Sequence, residues 1–393
     1  MCFALAAVVL KMELKRLQYI MMNRRERVEA AINHREPDRV PVDVWGSASR
    51  LCNQLYFELV RDQGWPDFGK FVSASRSGDY VDERVADLVH ADIRHTNVGK
   101  PKYFTARKTP EGITYNEWGV GFKPVGGDSM IADVPFKEAD LSLVDKHSWP
   151  NPSDPGRRDG VFDQVRHWHE TTDYFIATTS VVSGLMLDIC PYLRGFEDFM
   201  MDLHLNKSFA HKLIEKVTNL LIEYYMYYLA DIGPYIGWVE FSSDHGMQDR
   251  PLISPKIYRE FFKPHYKRLF GEVRKVAPKA KIWMHSCGSV WDLIPDFIDE
   301  GVDILNSLQP KAAKMDSIAL KKEFGKDLVF HGGLDIQSGG ITASVEDAIE
   351  EARRRLDAFS PGGGYVFAPS NHFMQDVPLE NFYAIYEFAH NYR

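Results

Sequence analysis

The feature that most constrains the fold is a regular alternation of short apolar segments and amphipathic helical segments after residue 160. The apolar segments are nearly continuous, which is typical of parallel strands covered on both faces. Together with two segments earlier in the chain, they make eight predicted strands, and helices of period 3.6 separate them. This pattern predicts an α/β fold of the (β/α)8 type, a TIM barrel. The predicted strands are 40–44, one near Asp92, 174–179, 238–242, 281–285, 303–308, 328–331 and 365–368.

One stretch interrupts the pattern. Residues 103–136 are rich in Tyr, Thr, Gly and Phe, and a Pro-Glu-Gly turn separates two extended runs. This texture predicts an antiparallel hairpin or meander inserted into the barrel as a cover for the substrate. We therefore expect one barrel over residues 22–393 with an insertion at 100–150, preceded by a peripheral extension at 1–21.

Composition narrows the classes of function. The chain has 393 residues, of which 45% are hydrophobic, and a formal net charge of −8. A nucleic-acid-binding protein usually carries a basic patch, so we expect no nucleic-acid partner. The four cysteines are far apart, which fits a reducing compartment better than a disulfide scaffold. The apolar run at 2–10 is too short to span a bilayer, so we expect a cytoplasmic protein without a membrane segment.

The segment KIWMHSCG at 281–288 contains the first chemical signal. His285 and Cys287 stand two residues apart at the end of a predicted strand, so both side chains point to the same side. An imidazole and a thiolate so placed are two ligands of a zinc site or a base beside a nucleophile. The alternative is a core histidine next to a buried free cysteine.

Four other predicted strands of the second half also end in polar residues. Because active sites of such barrels lie at the carboxyl ends of the strands, these ends are expected to converge on one site. No phosphate-binding loop or nucleophile elbow is present, and metal binding is the favoured use of His285 and Cys287. From the residues alone, the third ligand is one of Glu240, Asp244, His331 and His372. The remaining polar residues at these ends are His245, Gln248, Asn306, Gln309, Asp335, Gln337, Ser370 and Asn371.

From about residue 22 onward the sequence resembles the uroporphyrinogen decarboxylase superfamily, and within it the zinc- and corrinoid-dependent methyltransferases. The segments that carry this resemblance include NRRERVEAAINHREPDRVPVD from Asn23, HSCGSVWDLIPDFIDEGVDIL at 285–305 and FHGGLDIQ at 330–337. Two more are PLISPKIYREFFKPHYKRLF at 251–270 and GGGYVFAPSNHFMQDVPLENFYAIYE at 362–387.

The resemblance implies a zinc ion held by His285, Cys287 and a residue of the last strand's loop. His372 is the predicted third ligand, with Asn371, Glu240 and Asp244 as alternatives. Because no cysteine stands there, the resemblance favours a demethylating methyltransferase over one that methylates a thiol. The implied reaction moves a methyl group from a small methylated substrate, such as a methoxylated aromatic, to a corrinoid.

Further roles follow from this hypothesis. Asp244, Glu240 and His331 are predicted acid/base groups. The corrinoid, a cobalamin, is expected on a separate partner protein, because no Asp-x-His-x-x-Gly motif is present. A homodimer is compatible with the sequence. The alternatives are a decarboxylase that depends on Asp92, which resembles the decarboxylases' essential aspartate, and a non-catalytic barrel that binds a tetrapyrrole or corrinoid. The predicted substrate-binding residues are Asp92, Gln248, Asn306, Gln309 and Asn371.

Overall fold

A computed structural model describes residues 21–66, 82–125, 128–337 and 339–392. Its main sheet has seven parallel strands that neighbour one another in chain order, interrupted only by the four strands of the insertion. The strands of this sheet are β1 (Ile93–Thr96), β6 (Phe175–Thr178), β7 (Trp238–Ser242), β8 (Lys281–His285), β9 (Ile304–Asn306), β10 (Val329–His331) and β11 (Tyr365–Val366).

The predicted strand at 40–44 lies between the two edges of this sheet. Val42 forms a parallel bridge with Phe367, just after β11. On its other side, the carbonyl of Val42 accepts a hydrogen bond of 3.0 Å from the backbone N–H of Asp92, just before β1. This segment therefore occupies the position of the eighth strand of the barrel, although it forms only an isolated bridge. The TIM-barrel prediction is confirmed.

The interior of the barrel is layered. Trp238, Trp283 and Val329 belong to a small apolar cluster that also contains Ile93, Ile304 and Val366. Strand side chains alternate between the two faces, so the residue two positions further along each strand also points inward. In four neighbouring strands that next inward residue is polar. A polar layer therefore follows the apolar layer toward the carboxyl end of the strands. In these four strands it consists of Glu240, His285, Asn306 and His331.

Helices cover the outer face of the sheet, where Val239, Ile282 and Phe330 contribute to the larger apolar core. The described helices are α1 (Arg24–Ile32), α2 (Asn53–Asp62), α3 (Glu83–Leu88), α4 (Leu141–Lys146), α5 (Val161–Thr171), α6 (Met186–Arg194), α7 (Phe196–Leu205), α8 (Lys207–Leu229), α9 (Pro255–Phe261), α10 (Lys263–Val276), α11 (Ile294–Glu300), α12 (Ser317–Phe324), α13 (Val345–Phe359) and α14 (Leu379–Asn391). No described helix is both long and apolar enough to cross a membrane.

Two helical predictions need correction. The sequence pattern at 254–276 is helical throughout and predicts one helix, but this segment forms two helices, because Pro264 lacks an N–H and its ring clashes with the preceding turn. Helix α6 was not predicted, since Pro191 lies inside it. Its first turn is stabilised by Asp188, whose side chain accepts from the Leu185 N–H at 3.0 Å.

The insertion is a four-stranded antiparallel sheet, which confirms the predicted meander. Its strands are β2 (Arg107–Lys108), β3 (Thr114–Tyr115), β4 (Gly121–Val125) and β5 (Asp128–Asp133). Trp118 anchors this sheet to the barrel, because its ring stacks on Tyr224 of α8 with 6.1 Å between centroids. The extension predicted at 1–21 falls, apart from Met21, outside the described residues.

Candidate metal centre

Three side chains with metal-binding atoms meet at the carboxyl end of the barrel. Among the described residues, Asp244, His285 and Cys287 form the group whose ligand atoms all lie within 4.8 Å of one another. His285 ends β8, Cys287 follows it, and Asp244 comes from the loop after the neighbouring strand β7. His285 Nε2 lies 3.3 Å from Cys287 Sγ and 3.5 Å from Asp244 Oδ1. The structure thus brings the predicted pair together and adds a carboxylate.

The thiol of Cys287 is surrounded by nitrogen donors. Asn371 Nδ2 lies 3.3 Å from its sulfur, and Gln309 Nε2 lies 3.8 Å from it. The Cys287 backbone N–H donates to Asp244 Oδ1 at 2.9 Å, which holds the carboxylate beside the thiol. Both amide nitrogens are hydrogen-bond donors, and a cysteine sulfur can accept from them. Both amides were predicted to bind substrate, and the structure places them against the metal group.

Behind His285, a chain of hydrogen bonds runs across the barrel interior. His285 Nδ1 contacts Asn306 Oδ1, and Asn306 Nδ2 lies 3.0 Å from His331 Nδ1. His331 Nε2 in turn lies 2.9 Å from Asp43 Oδ2. Asp43 belongs to the segment that closes the barrel and is fully buried. The candidate metal group therefore rests on a continuous polar network.

The network continues to a buried ion pair. The second oxygen of Asp43 lies 2.8 Å from His95 Nε2, and His95 Nδ1 lies 3.2 Å from Glu240 Oε1. Burial opposes a charge on His95, but the two carboxylates outweigh it and raise the pKa of His95 to about 10. Burial also disfavours ionised Asp43 and Glu240, yet His95 beside them holds the pKa of both carboxyls below the ordinary range. The result is an imidazolium between two carboxylates.

Electrostatics at His285 follow the same logic. Its side chain is 7% exposed, and burial opposes the charged form. The neighbouring Cys287 and Asp244 outweigh that penalty and raise the pKa of His285 to about 9. A metal ion must displace this proton in order to bind.

His372, the predicted third ligand, is not a member of the three-residue group. Its Nδ1 accepts a hydrogen bond of 3.1 Å from the Arg50 backbone N–H. Burial, with Arg50 and His285 nearby, lowers the pKa of His372 to about 4, so the ring is neutral. Asp244 occupies the position beside the pair instead. Asp244 and His372 both lie in loops that follow strands. Strand patterns in a sequence do not specify the paths of such loops.

The three predicted acid/base groups differ in their exposure to solvent. Asp244 has a side chain that is 56% exposed. Glu240 and His331 are buried within the network and bind protein groups there. Glu240 Oε2 accepts from the Ser47 backbone N–H at 2.8 Å. Gln248, predicted to bind substrate, instead donates to the Lys311 carbonyl at 2.7 Å.

Asp92, predicted to bind substrate, lies at the opposite end of the barrel, immediately before β1, and the structure does not bring it together with the metal group. Its two oxygens receive two bonds from Arg39, at 2.8 and 2.9 Å, and one from Arg27 at 2.7 Å. A fourth comes from the Val42 backbone N–H at 2.9 Å. All lone-pair positions of this carboxylate are thus in use. The strand begins at Ile93, so Asp92 precedes the strand instead of following it, and its role in substrate binding stays a prediction.

Asp43 and His95 were not recognised from the sequence as part of the site. Asp43 is the single polar residue of an apolar segment, where it resembles a strand interruption, and His95 lies in β1, whose sequence IRHT is mostly polar. The available signal was the inward position of His95, two residues after the apolar cluster member Ile93. Asp188 was also missed: its Oδ1 lies 3.4 Å from the Asp244 backbone nitrogen, and burial raises its pKa to about 6.

A cavity of about 310 Å³ lies between the insertion and α6. Trp118 and Phe122 line it from the insertion, and Tyr192 and Tyr224 line it from the helices. Tyr192 stands on the same helix as Asp188, which contacts the backbone of Asp244. The cavity is therefore related to the metal group through α6, although none of the three metal-group side chains lines it.

The donor set fits zinc. One imidazole nitrogen, one thiolate and one carboxylate oxygen are all zinc ligands, and catalytic zinc keeps three protein ligands with one open position. The N–H of His285 Nδ1 has a protein acceptor, as metal-bound histidines usually do. Asp244 is the exposed member of the group, so the open position would face the mouth of the barrel.

Comparisons with known proteins agree with this architecture. A methyltransferase from Methanosarcina mazei superposes with a TM-score of 0.62 at 14% identity, covering 94% of this chain and 99% of that one. The native xylanase 10B from Thermotoga maritima reaches a TM-score of only 0.39 at 11% identity, covering 64% of this chain and 84% of that one. At such identities the first likeness shows the fold alone, and the second carries no argument. Among curated proteins, none matches the sequence significantly.

The family comparison is more specific. The family model described as uroporphyrinogen decarboxylase (URO-D) matches residues 118–392, which is more than half of the chain. That range includes β6 to β11 and all three residues of the candidate metal group. The chain therefore belongs to the uroporphyrinogen decarboxylase family.

Proposed function

We propose that this protein is a methyltransferase that moves a methyl group from a small methylated substrate to a corrinoid carried by a partner protein, with the assistance of zinc. The observation that carries the proposal is the convergence of Asp244, His285 and Cys287 at the carboxyl end of the strands. The barrel likeness to a solved methyltransferase is compatible with it.

Zinc would be held by His285, Cys287 and Asp244, with Asp244 in the role that the sequence resemblance gave to His372. When bound, zinc supplies a Lewis acid that stabilises negative charge on the heteroatom losing the methyl group. An ether or amine is a poor leaving group, so this stabilisation is where the reaction most needs help. Gln309 and Asn371 contact the sulfur and would fix its orientation.

A methoxylated aromatic fits the cavity next to α6, the helix whose Asp188 contacts the backbone of Asp244. The cavity beside α6 is large enough for one aromatic ring with its substituents, and aromatic side chains form much of its wall. Offset or edge contacts with Trp118 and Tyr192 would hold such a ring. We therefore propose O-demethylation as the form of methyl transfer. The corrinoid would approach from the exposed side of Asp244, where the barrel mouth opens.

The decarboxylase alternative depended on Asp92. That carboxylate is fully buried at the amino end of the strands, and two arginines and a backbone N–H saturate it. It has no lone pair left for a substrate group. The position of Asp92 therefore favours methyl transfer over decarboxylation through this residue.

Metal analysis combined with a methyl-transfer assay tests the proposal. Purified wild-type protein is expected to contain about one zinc per chain and to transfer methyl groups from a methoxylated aromatic to free cob(I)alamin. Cys287→Ser is expected to lose both, because serine is not a thiolate ligand. Cys190→Ala is the matched control: this cysteine is also free, but it is buried in α6 outside the metal group.

Two results would reject the proposal. One is full zinc content and turnover in Cys287→Ser. The other is a zinc-free wild-type protein that releases carbon dioxide from a carboxylated substrate, which would favour the decarboxylase alternative. Binding of a corrinoid without any turnover would instead favour the non-catalytic alternative.

A further inference from the structure

The orientation of each group in the buried network can be deduced from atoms that only accept or only donate hydrogen bonds. The first fixed point is the backbone carbonyl of His331, which can only accept. Asn306 Nδ2 lies 3.1 Å from that carbonyl oxygen and 3.0 Å from His331 Nδ1. This end of the Asn306 amide must therefore be the NH₂ group, and the other end must be the carbonyl oxygen.

The second fixed point is Asp43. Its carboxylate accepts and does not donate, and it is paired on its other oxygen with His95 at 2.8 Å. His331 Nε2, at 2.9 Å from Asp43, must then carry a proton. With the proton of His331 on Nε2, its Nδ1 offers a lone pair that accepts from the Asn306 NH₂ group. Both fixed points thus require the same orientation of the amide.

The consequence reaches the candidate metal group. Because Asn306 presents its oxygen to His285 Nδ1, that nitrogen must donate and therefore carries a proton. The only ring nitrogen of His285 left for a metal is Nε2. That atom is the one that lies 3.3 Å from Cys287 Sγ and 3.5 Å from Asp244 Oδ1.

We propose that Asp43, acting through His331 and Asn306, is a positioning residue that holds the His285 proton on Nδ1 and keeps Nε2 available as a ligand. This inference rests on the proposed function, because it assigns a purpose to the network only if a metal binds at His285. Asp43 never touches the metal or the substrate. It acts across three strands of the barrel by fixing the direction of two hydrogen bonds.

Two variants interrupt the network at different points. Asn306→Leu removes the acceptor for His285 Nδ1 at similar volume, and we expect it to weaken zinc binding by about 10–100-fold, the usual effect of losing an outer partner of a metal ligand. His331→Phe leaves Asn306 in place but removes one of its two fixed points, so a smaller loss is expected. His265→Gln is the matched control, since His265 is a half-buried histidine that bonds Thr218 at 3.1 Å, far from the network.

Zinc dissociation constants from chelator competition and ¹⁵N spectra of the histidine side chains are the two measurements. In zinc-loaded wild type, His285 should show a metal-bound Nε2 and a protonated Nδ1. Coordination through Nδ1, or wild-type affinity in both variants, would overturn the inference. A folded Asn306→Leu protein with weak zinc binding and a changed His285 spectrum would support it.

The metal-free spectrum separates this inference from the proposed function. In wild-type protein without zinc, neutral His331 should carry its proton on Nε2. Absence of zinc binding in the wild type would refute the proposed function but not this tautomer. A His331 ring protonated on Nδ1 would refute the relay even if zinc binds and the protein transfers methyl groups.

Discussion

The two ends of the barrel each contain a buried polar network, and the networks end differently. At the amino end, Asp92 is bound by Arg27 and Arg39, and Arg27 also contacts Asp38 at 2.7 and 2.9 Å. Each charged group there has a protein partner. At the carboxyl end, the network begins at the ion pair of Glu240 and His95. It ends at His285, whose Nε2 atom lies beside a second candidate metal ligand, the sulfur of Cys287.

This difference distinguishes a stabilising network from a candidate site. Arginines remain protonated at all ordinary pH values, and they match carboxylates in a fixed geometry. The arginines of the amino-end network therefore keep both their charge and their carboxylate partners at ordinary pH. The carboxyl-end network is built of histidines and amides, which can hold a proton on one atom and expose another. At the proposed zinc site, the Nε2 atom of His285 remains available to bind the metal.

The largest effect is expected from Asp92→Asn. Removing one charge leaves two buried arginines short of a partner, which costs about 3–5 kcal/mol of unfolding free energy. Urea unfolding measures this loss. Asp173→Asn is the control: its pair with Arg24 is half-exposed, at 40% and 32% of the side chains, so we expect a loss of less than about 1 kcal/mol.

The same Asp92 variant tests whether the amino-end and carboxyl-end networks have separate roles. If the amino-end network is only structural, folded Asp92→Asn protein should bind zinc with wild-type affinity. A folded variant that loses zinc binding or turnover selectively would show that the two ends are not separate in function. It would also support the prediction that Asp92 takes part in the reaction.

Asp244→Asn should produce the converse result. Asparagine retains the acceptor for the Cys287 backbone N–H but is a poor zinc ligand, so zinc affinity should fall by more than about 10-fold. Because the side chain is exposed, unfolding free energy should change by less than about 0.5 kcal/mol. Chelator competition compares this variant with His372→Asn, which should retain zinc. The opposite order of affinities would make His372 the third ligand, as the sequence resemblance implies.

A third prediction concerns the pH dependence of stability. The unfolded chain releases the His95 proton near pH 6.5, whereas the folded protein holds it up to a pKa of about 10. Its contribution to stability is complete below pH 6.5 and is lost as pH rises toward 10. Zinc-free wild type should therefore lose stability across this window. The double variant His95→Gln/Glu240→Gln, which removes both members of the ion pair, should show a flatter profile.

Asp92→Asn sharpens this test. Its arginine partners do not titrate between pH 6.5 and 10, so the variant should be less stable than wild type by the same amount throughout the window. Unfolding free energies at four or five pH values provide the comparison. An unchanged slope in the double variant would show that His95 is not the source of the alkaline loss.

Much of the fold could be predicted from the sequence, because apolar periodicity records which segments are buried on both sides. The strands β7 and β8 begin and end at the predicted residues, and the antiparallel insertion lies where its composition placed it. Helix α6 was missed because Pro191 normally interrupts a helix, although the local hydrogen bond between Asp188 and the Leu185 N–H stabilises its first turn.

The site was predictable to the extent that it lies on strands. His285 and Cys287 follow from their spacing at a strand end. The choice between Asp244 and His372 did not follow, since both lie in loops whose paths depend on contacts between distant segments. Asp43 was also beyond sequence reasoning: its partners His95 and His331 are 52 and 288 residues away, and only closure of the barrel brings them together.

X-ray absorption at the zinc edge tests the central claim most directly, namely that the carboxyl-end network ends in a zinc site with one sulfur ligand. Zinc-loaded wild type should show one Zn–S distance of about 2.3 Å with nitrogen and oxygen ligands at about 2.0–2.2 Å. In Cys287→Ser the sulfur contribution should disappear. Two or more sulfurs in the wild type, or a sulfur that remains in Cys287→Ser, would contradict the claim.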